Sequence, residues 1–153
     1  MHTLGYAQSN LRKGRVSLLG QVYVVTTTTR DRRPLFDDFE LACAAARAVT
    51  VPRAELIVLC WMLMPDHFHA LVELVEGSLS QAVGGLKARA AAAVNRVRGT
   101  REPVWARAFH DRALRPEDDM LDAARYIICN PLRAGLVRSV REYPFWDAVW
   151  VGR

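Results

Sequence analysis

The spacing of apolar positions along the chain switches between a two-residue rhythm and a helical one, and the switches outline its elements. Gln21 to Thr29 sets Val22, Val24 and Val25 beside four threonines, a β-branched run that predicts a strand. Arg30 to Pro34 makes a charged turn. The alanine-rich stretch Phe36 to Val49 predicts a helix that ends before Pro52, because proline cannot continue a helix. Ala54 to Leu63 is almost unbroken apolar sequence and predicts a second strand. Met64-Pro65-Asp66 interrupts it, and His67 to Val75 predicts a third strand that pairs back on the second. Glu76-Gly77-Ser78 then punctuates the chain, with Ser78 placed to cap a helix over Leu79 to Arg98; Gly84-Gly85 weakens the early turns of that helix. Val104 to Leu114 predicts a fourth strand or strand pair. Pro116 opens a last helix, acidic at its start (Glu117, Asp118, Asp119) as the helix dipole prefers. It runs through Tyr126 to about Asn130 and stops at Pro131. An aromatic tail follows Gly135, with Tyr143, Phe145, Trp146 and Trp150.

The resulting order is β-α-β-β-α-β plus one helix. It predicts an α+β fold of the ferredoxin-like, split βαβ kind, an antiparallel sheet with helices on one face and an added C-terminal helix. The first and third strands are then the adjacent central pair. Residues 1–19 read as a basic N-terminal arm and residues 20–153 as a single domain.

Within that outline the most informative positions are His67 and His69. Residues two apart on a strand extend from one face, so the two imidazoles share a face while Phe68 points the other way into a core. Burying two imidazoles without partners is costly, and a pair of neutral ring nitrogens can reach a single metal ion. The spacing names neither the metal nor the reaction. The last helix offers Tyr126 and Asn130, i and i+4 and therefore on one helical face. Asn130 can supply an oxygen ligand and Tyr126 a phenolic oxygen. Taken alone, Tyr126 also reads as a core aromatic and Asn130 as a helix-terminating residue. Phenols ionise near pH 10, so a tyrosine nucleophile needs an electrophile activated by a nearby cation.

Composition narrows the partners. The 153 residues are 51% hydrophobic and 24% charged, which is ordinary for a globular protein. No apolar run approaches the span of a membrane, and the first fifteen residues lack the apolar centre of a signal peptide. A cytoplasmic location is expected. Cys43, Cys60 and Cys129 match no metal-ligand spacing and read as reduced thiols. The net charge is +5 with a pI near 9.6, and the only lysines are Lys13 and Lys87. Arginine's planar fork suits phosphate, although arginine-biased codon usage explains the same excess. A small basic domain with a candidate metal site points toward nucleic acid rather than membranes.

Several motifs then occur in order. They are Gly20-Gln21-Val22-Tyr23-x-Val25-Thr26, Arg32-Arg33-Pro34-Leu35-Phe36, Trp61-x-x-Met64-Pro65-Asp66-His67-x-His69, Asn95, Val104-Trp105 and Phe109-His110-Asp111-x-x-Leu114-Arg115. The run closes on Ala124-Arg125-Tyr126-Ile127-x-x-Asn130-Pro131-x-Arg133-Ala134-Gly135-Leu136-Val137. From about Gly20 onward the chain resembles the REP-associated tyrosine transposases, a branch of the single-tyrosine HUH transposase superfamily. The resemblance implies that His67 and His69 bind Mg²⁺ or Mn²⁺ with Asn130 completing the protein ligands. It implies that Tyr126 attacks a single-stranded DNA phosphate, giving a 5′-phosphotyrosine and a free 3′-OH, on short palindromic hairpins (repetitive extragenic palindromes). Lys87, Arg89, Arg96 and Arg98 on the second helix, with Arg12, Lys13 and Arg15 of the arm, are the expected DNA-backbone contacts; a solvated helix face is the plain alternative. His110 reads as structural. A monomer or a homodimer is expected. Two other classes stay open: a hairpin-binding regulatory protein that does not cleave, and a metallohydrolase using metal-activated water.

Overall fold

The computed structural model describes residues 17–151, so Arg12, Lys13 and Arg15 lie outside the described residues. Among the described residues the chain forms β1 (Val22–Thr28), α1 (Phe39–Thr50), β2 (Leu56–Met64), β3 (His67–Leu74) and α2 (Leu79–Arg98), followed by β4 (His110–Ala113), α3 (Met120–Ile128), α4 (Asn130–Arg133) and β5 (Trp146–Ala148). The strands make one antiparallel sheet in the order β4-β1-β3-β2-β5. The split βαβ expectation holds, with β1 and β3 central. β5 is an addition that the sequence did not signal.

Alternation along the strands sorts the core into two layers. Tyr23 and Val25 of β1, Trp61 and Leu63 of β2, and Phe68, Ala70, Val72 and Leu74 of β3 face the layer formed by α1 and α2. Met62, Met64 and Leu71 face the opposite side, against Ala124 and Ile127 of α3 and Ala148 of β5. Helices therefore lie on both faces: the two expected ones on one side, and α3 across the other. A register shift between Val58 and Cys60 marks a β-bulge in β2. It turns both Leu59 and Cys60 toward the α3 side, as an extra residue in one strand must.

Local chemistry explains most element ends. Asp38 caps α1 by accepting from the N–H groups of Glu40 and Leu41, which moves the helix start from the expected Phe36 to Phe39. Ser78 caps α2 as expected, accepting from the N–H of Gln81. The last long helix begins later than expected. Asp118 accepts from the Arg115 N–H at 2.8 Å and holds a turn, and Asp119 accepts from the N–H groups of Leu121 and Asp122. Three adjacent acids all satisfy the dipole rule, and it is Asp119, with the extended backbone a cap requires, whose carboxylate takes the helix N–H groups. The helix also breaks earlier. α3 ends at Ile128, Cys129 is the joint, and Asn130 opens the separate short helix α4 with Pro131 in its first turn, where a missing N–H costs nothing. Gly135, at φ 73°, ends α4 in the left-handed region, with the Leu136 N–H bonding the carbonyl of Pro131.

The expected strand over Val104 to Leu114 is mostly loop. Only His110–Ala113 pair with β1, and Trp105 makes an isolated bridge to Thr29. The reason is Lys87, whose Nζ donates to the carbonyls of Ala106 at 2.9 Å and of Arg107 and Ala108 at 3.4 Å. Those carbonyls are satisfied by an ammonium instead of a strand ladder. Lys87→Met is expected to destabilise the protein by about 1–3 kcal/mol. Urea unfolding would read this as a lower midpoint with an unchanged slope. A lysine that only touched phosphate would leave the midpoint where it is.

The aromatic tail runs along β2. Tyr143 Oη donates to the Leu63 carbonyl at 2.5 Å, and the Leu63 N–H donates to the carbonyl of Phe145 at 2.9 Å. This ties down the segment that adds β5. The three cysteines are free, and burial pushes the Cys60 thiol up to about 11. Among the described residues no helix is long and apolar enough to cross a membrane.

Candidate active site

β3 presents His67 and His69 on the α3 side of the sheet, while Phe68 between them is fully buried under the α1–α2 layer. The register sets Thr26 of β1 opposite His69 and Thr28 opposite His67. Thr26 Oγ1 lies 2.9 Å from His69 Nδ1, and His67 Nδ1 donates to Asp66 Oδ1 at 2.7 Å. Both inner ring nitrogens are thus engaged, which leaves both Nε2 atoms to a ligand. A second group fixing the ring of a metal-binding histidine is the usual arrangement. The ring centroids are 4.6 Å apart with the planes at 85°. Burial first, then the charges of His67, Arg133 and Arg32, push the His69 pKa down to about 4. At neutral pH it is therefore the neutral imidazole that coordination needs.

Asp66, quoted in a motif above but given no role there, organises the near end of this pair. Pro65-Asp66 is the two-residue turn joining β2 to β3, because Met64 pairs with His67. Its carboxylate bridges His67 on one oxygen and Arg32 Nε on the other, the latter at 3.1 Å. Burial raises the Asp66 pKa, but the hydrogen bond and charge of His67 and the charge of Arg32 outweigh it and hold the carboxyl below its ordinary value. The loop carrying Arg32 is strained, with Asp31 at φ 56° and Arg32 at φ 53°. A left-handed non-glycine residue costs roughly 1–2 kcal/mol. Thr29, fully buried, over-determines the loop: its hydroxyl donates to the carbonyl of Arg33 at 2.7 Å and meets that of Asp66 at 3.1 Å. Should His67 and His69 hold a divalent cation, Asp66→Ala is expected to weaken Mn²⁺ binding by about 10–100-fold, the usual effect of removing such a partner. Titration calorimetry measures it, and an unchanged affinity would remove Asp66 from the site.

α3 crosses this face and carries Tyr126, which is 66% exposed; the core-aromatic reading does not hold. Arg133 of α4 folds back on it. The guanidinium carbon sits 3.8 Å from the centre of the Tyr126 ring, and Nη2 donates to the Tyr126 carbonyl at 2.7 Å. The same guanidinium is near enough to His69 to disfavour its protonation. Arg133 therefore ties the tyrosine to the imidazole side of the sheet, a role that spacing did not suggest. Asn130 is half-buried at the α3–α4 joint. Because the helix breaks at Cys129, it does not share one continuous helical face with Tyr126 as expected. Among the described residues no hydrogen bond joins its amide to either imidazole.

The expected DNA contacts divide. Lys87 is committed to loop carbonyls, and Arg98 pairs with Glu102 at 2.9 Å. Arg89 and Arg96 are exposed on α2, on the far side of the sheet from the histidines. His110 is exposed and sits opposite Thr26 in the sheet, so it shares the face of His69 at the next strand but one.

Among the described residues no group of three or more His, Cys, Asp and Glu side chains is arranged to hold a metal. Beyond His67 and His69, any such set therefore has no third His, Cys, Asp or Glu side chain among the described residues. Two oriented imidazoles with open Nε2 positions fit a divalent cation that keeps water or phosphate oxygens for its other positions.

The family model described as IS200-like transposase matches residues 18–115. That span holds Thr26, Asp66, His67 and His69 and ends before Tyr126. A Haemophilus influenzae protein named as a REP-associated tyrosine transposase is 25% identical over 140 residues, which cover 82% of this chain and 78% of that protein. Among solved structures, a REP-associated tyrosine transposase bound to a REP hairpin superposes with a TM-score of 0.67 at 24% identity, over 87% of this chain and 79% of the other. The crystal structure of a protein from Deinococcus radiodurans described as a transposase gives 0.52 at 15%, over 84% and 95%. At these identities both structures speak to the fold.

Proposed function

The chain belongs to the IS200-like transposase family, and from that premise we propose that it cuts and rejoins single-stranded DNA at palindromic hairpins, using Tyr126 as the nucleophile. The observation that carries this reading is the exposed Tyr126, clasped by Arg133, on the helix that crosses the face bearing two oriented imidazoles.

The Tyr126 oxygen attacks the phosphorus, the bond to the 3′-oxygen breaks, the phenolic proton leaves, and the departing 3′-oxygen gains one. The products are a 5′-phosphotyrosine and a free 3′-OH. The cleaved bond's energy is kept in the phosphotyrosine, so attack by another 3′-OH rejoins strands without a nucleotide cofactor. His67 and His69, with Asn130, would hold Mg²⁺ or Mn²⁺, which when bound supplies positive charge to the scissile phosphate. Asp66 and Thr26 keep the two imidazoles turned for that purpose. Arg133 restrains the tyrosine ring and keeps a cation beside the anionic phosphate.

Incubation of a labelled hairpin oligonucleotide with the protein and Mn²⁺ should give a protein–DNA adduct that survives denaturing electrophoresis, and EDTA should remove it. Cleaved DNA without an adduct would point to metal-activated water. Binding without any product would leave a regulatory hairpin-binding protein.

A further inference from the structure

The loop between β1 and α1 sets a strained arginine near the imidazole pair. Asp31 and Arg32 are consecutive residues at φ 56° and 53°, and neither is glycine. Aspartate tolerates the left-handed region through its short polar side chain, whereas arginine has no such compensation. Backbone hydrogen bonds fix the loop along its length. The Thr29 N–H donates to the Asp66 carbonyl at 2.9 Å, the Arg30 N–H to that of Val104 at 2.9 Å, and the Phe36 N–H to that of Pro65 at 3.0 Å. Arg32 is therefore held in place under local strain.

Stability does not account for that placement. The Arg32 side chain is 61% exposed and makes one ion pair among the described residues, Nε to Asp66 Oδ2 at 3.1 Å. A pair that open to water stabilises less than two left-handed residues cost. His67 is held without it, because His67 Nδ1 binds the other oxygen, Asp66 Oδ1, at 2.7 Å. Only Nε is engaged in that pair, which leaves the Nη edge of the guanidinium to a ligand.

Cations flank the imidazoles on two sides. β3 lies between β1 and β2 in the sheet. Arg32 reaches the pair from the loop after β1, and Arg133 from α4, which lies against β2. Both charges act on His69. The nearby Asp66 carboxylate is already taken on both oxygens. An anion between the flanks meets guanidinium forks from two directions, and such forks match phosphate oxygens in pairs.

We propose that Arg32 is a catalytic residue that grips the scissile phosphate of the single strand through its Nη edge, across the imidazoles from Arg133, and that the strained loop serves to present it. That the anion is a DNA phosphate rests on the proposed transposase reading; the strained, outward-facing guanidinium does not.

The test uses Arg32→Gly, which suits a left-handed backbone, and Arg32→Lys, which keeps the charge but not the fork. A labelled hairpin with a single-stranded flank is followed by fluorescence anisotropy in EDTA across a salt series. Arg32→Gly should bind it about tenfold more weakly and lower the slope of log affinity against log salt by roughly 0.7, one single-strand contact. The same stem without the flank should bind as it does to the wild type. With saturating DNA and Mn²⁺, adduct formation should slow about 100-fold in Arg32→Gly, the scale of losing one preorganised donor, and at least about tenfold in Arg32→Lys. The urea midpoint of Arg32→Gly should be no lower than that of the wild type. The proposal is overturned if Arg32→Gly binds the flanked hairpin like the wild type, if it loses the unflanked stem equally, or if its midpoint falls. It is also overturned if more Mn²⁺ restores the adduct rate, which would make Arg32 a support for Asp66 and His67 instead. Absence of an adduct in the wild type would overturn the nuclease reading and leave the measurement in EDTA intact.

Discussion

Tyr126→Phe is expected to form no covalent adduct with a hairpin oligonucleotide, a loss on the order of a millionfold, the scale on which removal of a covalent nucleophile acts. The substitution deletes one oxygen from a ring that is 66% exposed, so folding stability should change by less than about 0.5 kcal/mol. The ring itself remains for Arg133 to stack on, and the guanidinium keeps its bond to the residue 126 carbonyl. Loss of the adduct in a protein with an unchanged melt therefore isolates the phenolic oxygen. No other described tyrosine can take over. Tyr23 is 3% exposed. Tyr143 donates to the Leu63 carbonyl, and burial, with Asp37 nearby, pushes its pKa up to about 12. Denaturing electrophoresis decides the matter, and an adduct that persists in the phenylalanine variant would end the assignment.

His69→Ala should lower adduct formation by on the order of a thousandfold, because under the proposed mechanism it would remove one of two imidazoles holding the cation, and with it several kcal/mol of charge stabilisation in the transition state. It should also change acid stability in the metal-free protein, in a direction that follows from the pKa. The folded value of about 4 lies below the ordinary 6.5, so the unfolded chain takes up the proton first. As pH falls from 6.5 to 4 the fold loses stability on this account, on the order of 3 kcal/mol. Above 6.5 the term is absent. The alanine variant has no such group, so its loss of stability over that window should be smaller than that of the wild type. Urea titrations in EDTA at pH 7 and near pH 4 measure the difference. Equal losses would mean that the imidazole is not held in the dry setting between Thr26 and Arg133.

Much of this site is legible in the sequence. A period of two places His67 and His69 together and sends Phe68 into the core, because strand geometry allows nothing else. Ser78 and the proline-bounded helices were equally local. The errors were local competitions with several near-equal solutions. Glu117, Asp118 and Asp119 each suit a helix start, and the choice fell on Asp119 once Asp118 was taken by the Arg115 turn. Asn130 and Tyr126 have helical spacing, yet Pro131 lacks the N–H to continue α3, and the chain restarts as α4 instead.

The sequence by itself determined the order of elements from β1 to α3, the shared face of the two histidines and the helix that carries Tyr126, since each depends on sterics and periodicity within a few residues. Only the tertiary structure decided what those side chains do together. Thr26 meets His69 across 43 residues of chain, Lys87 meets its loop across 19, and Tyr143 meets Leu63 across 80. It also decided that α3 lies over the histidines while the arginines of α2 lie behind the sheet. Such pairings depend on strand register and on which layer a helix joins. Many distant contacts set these jointly, and no short window of sequence contains them.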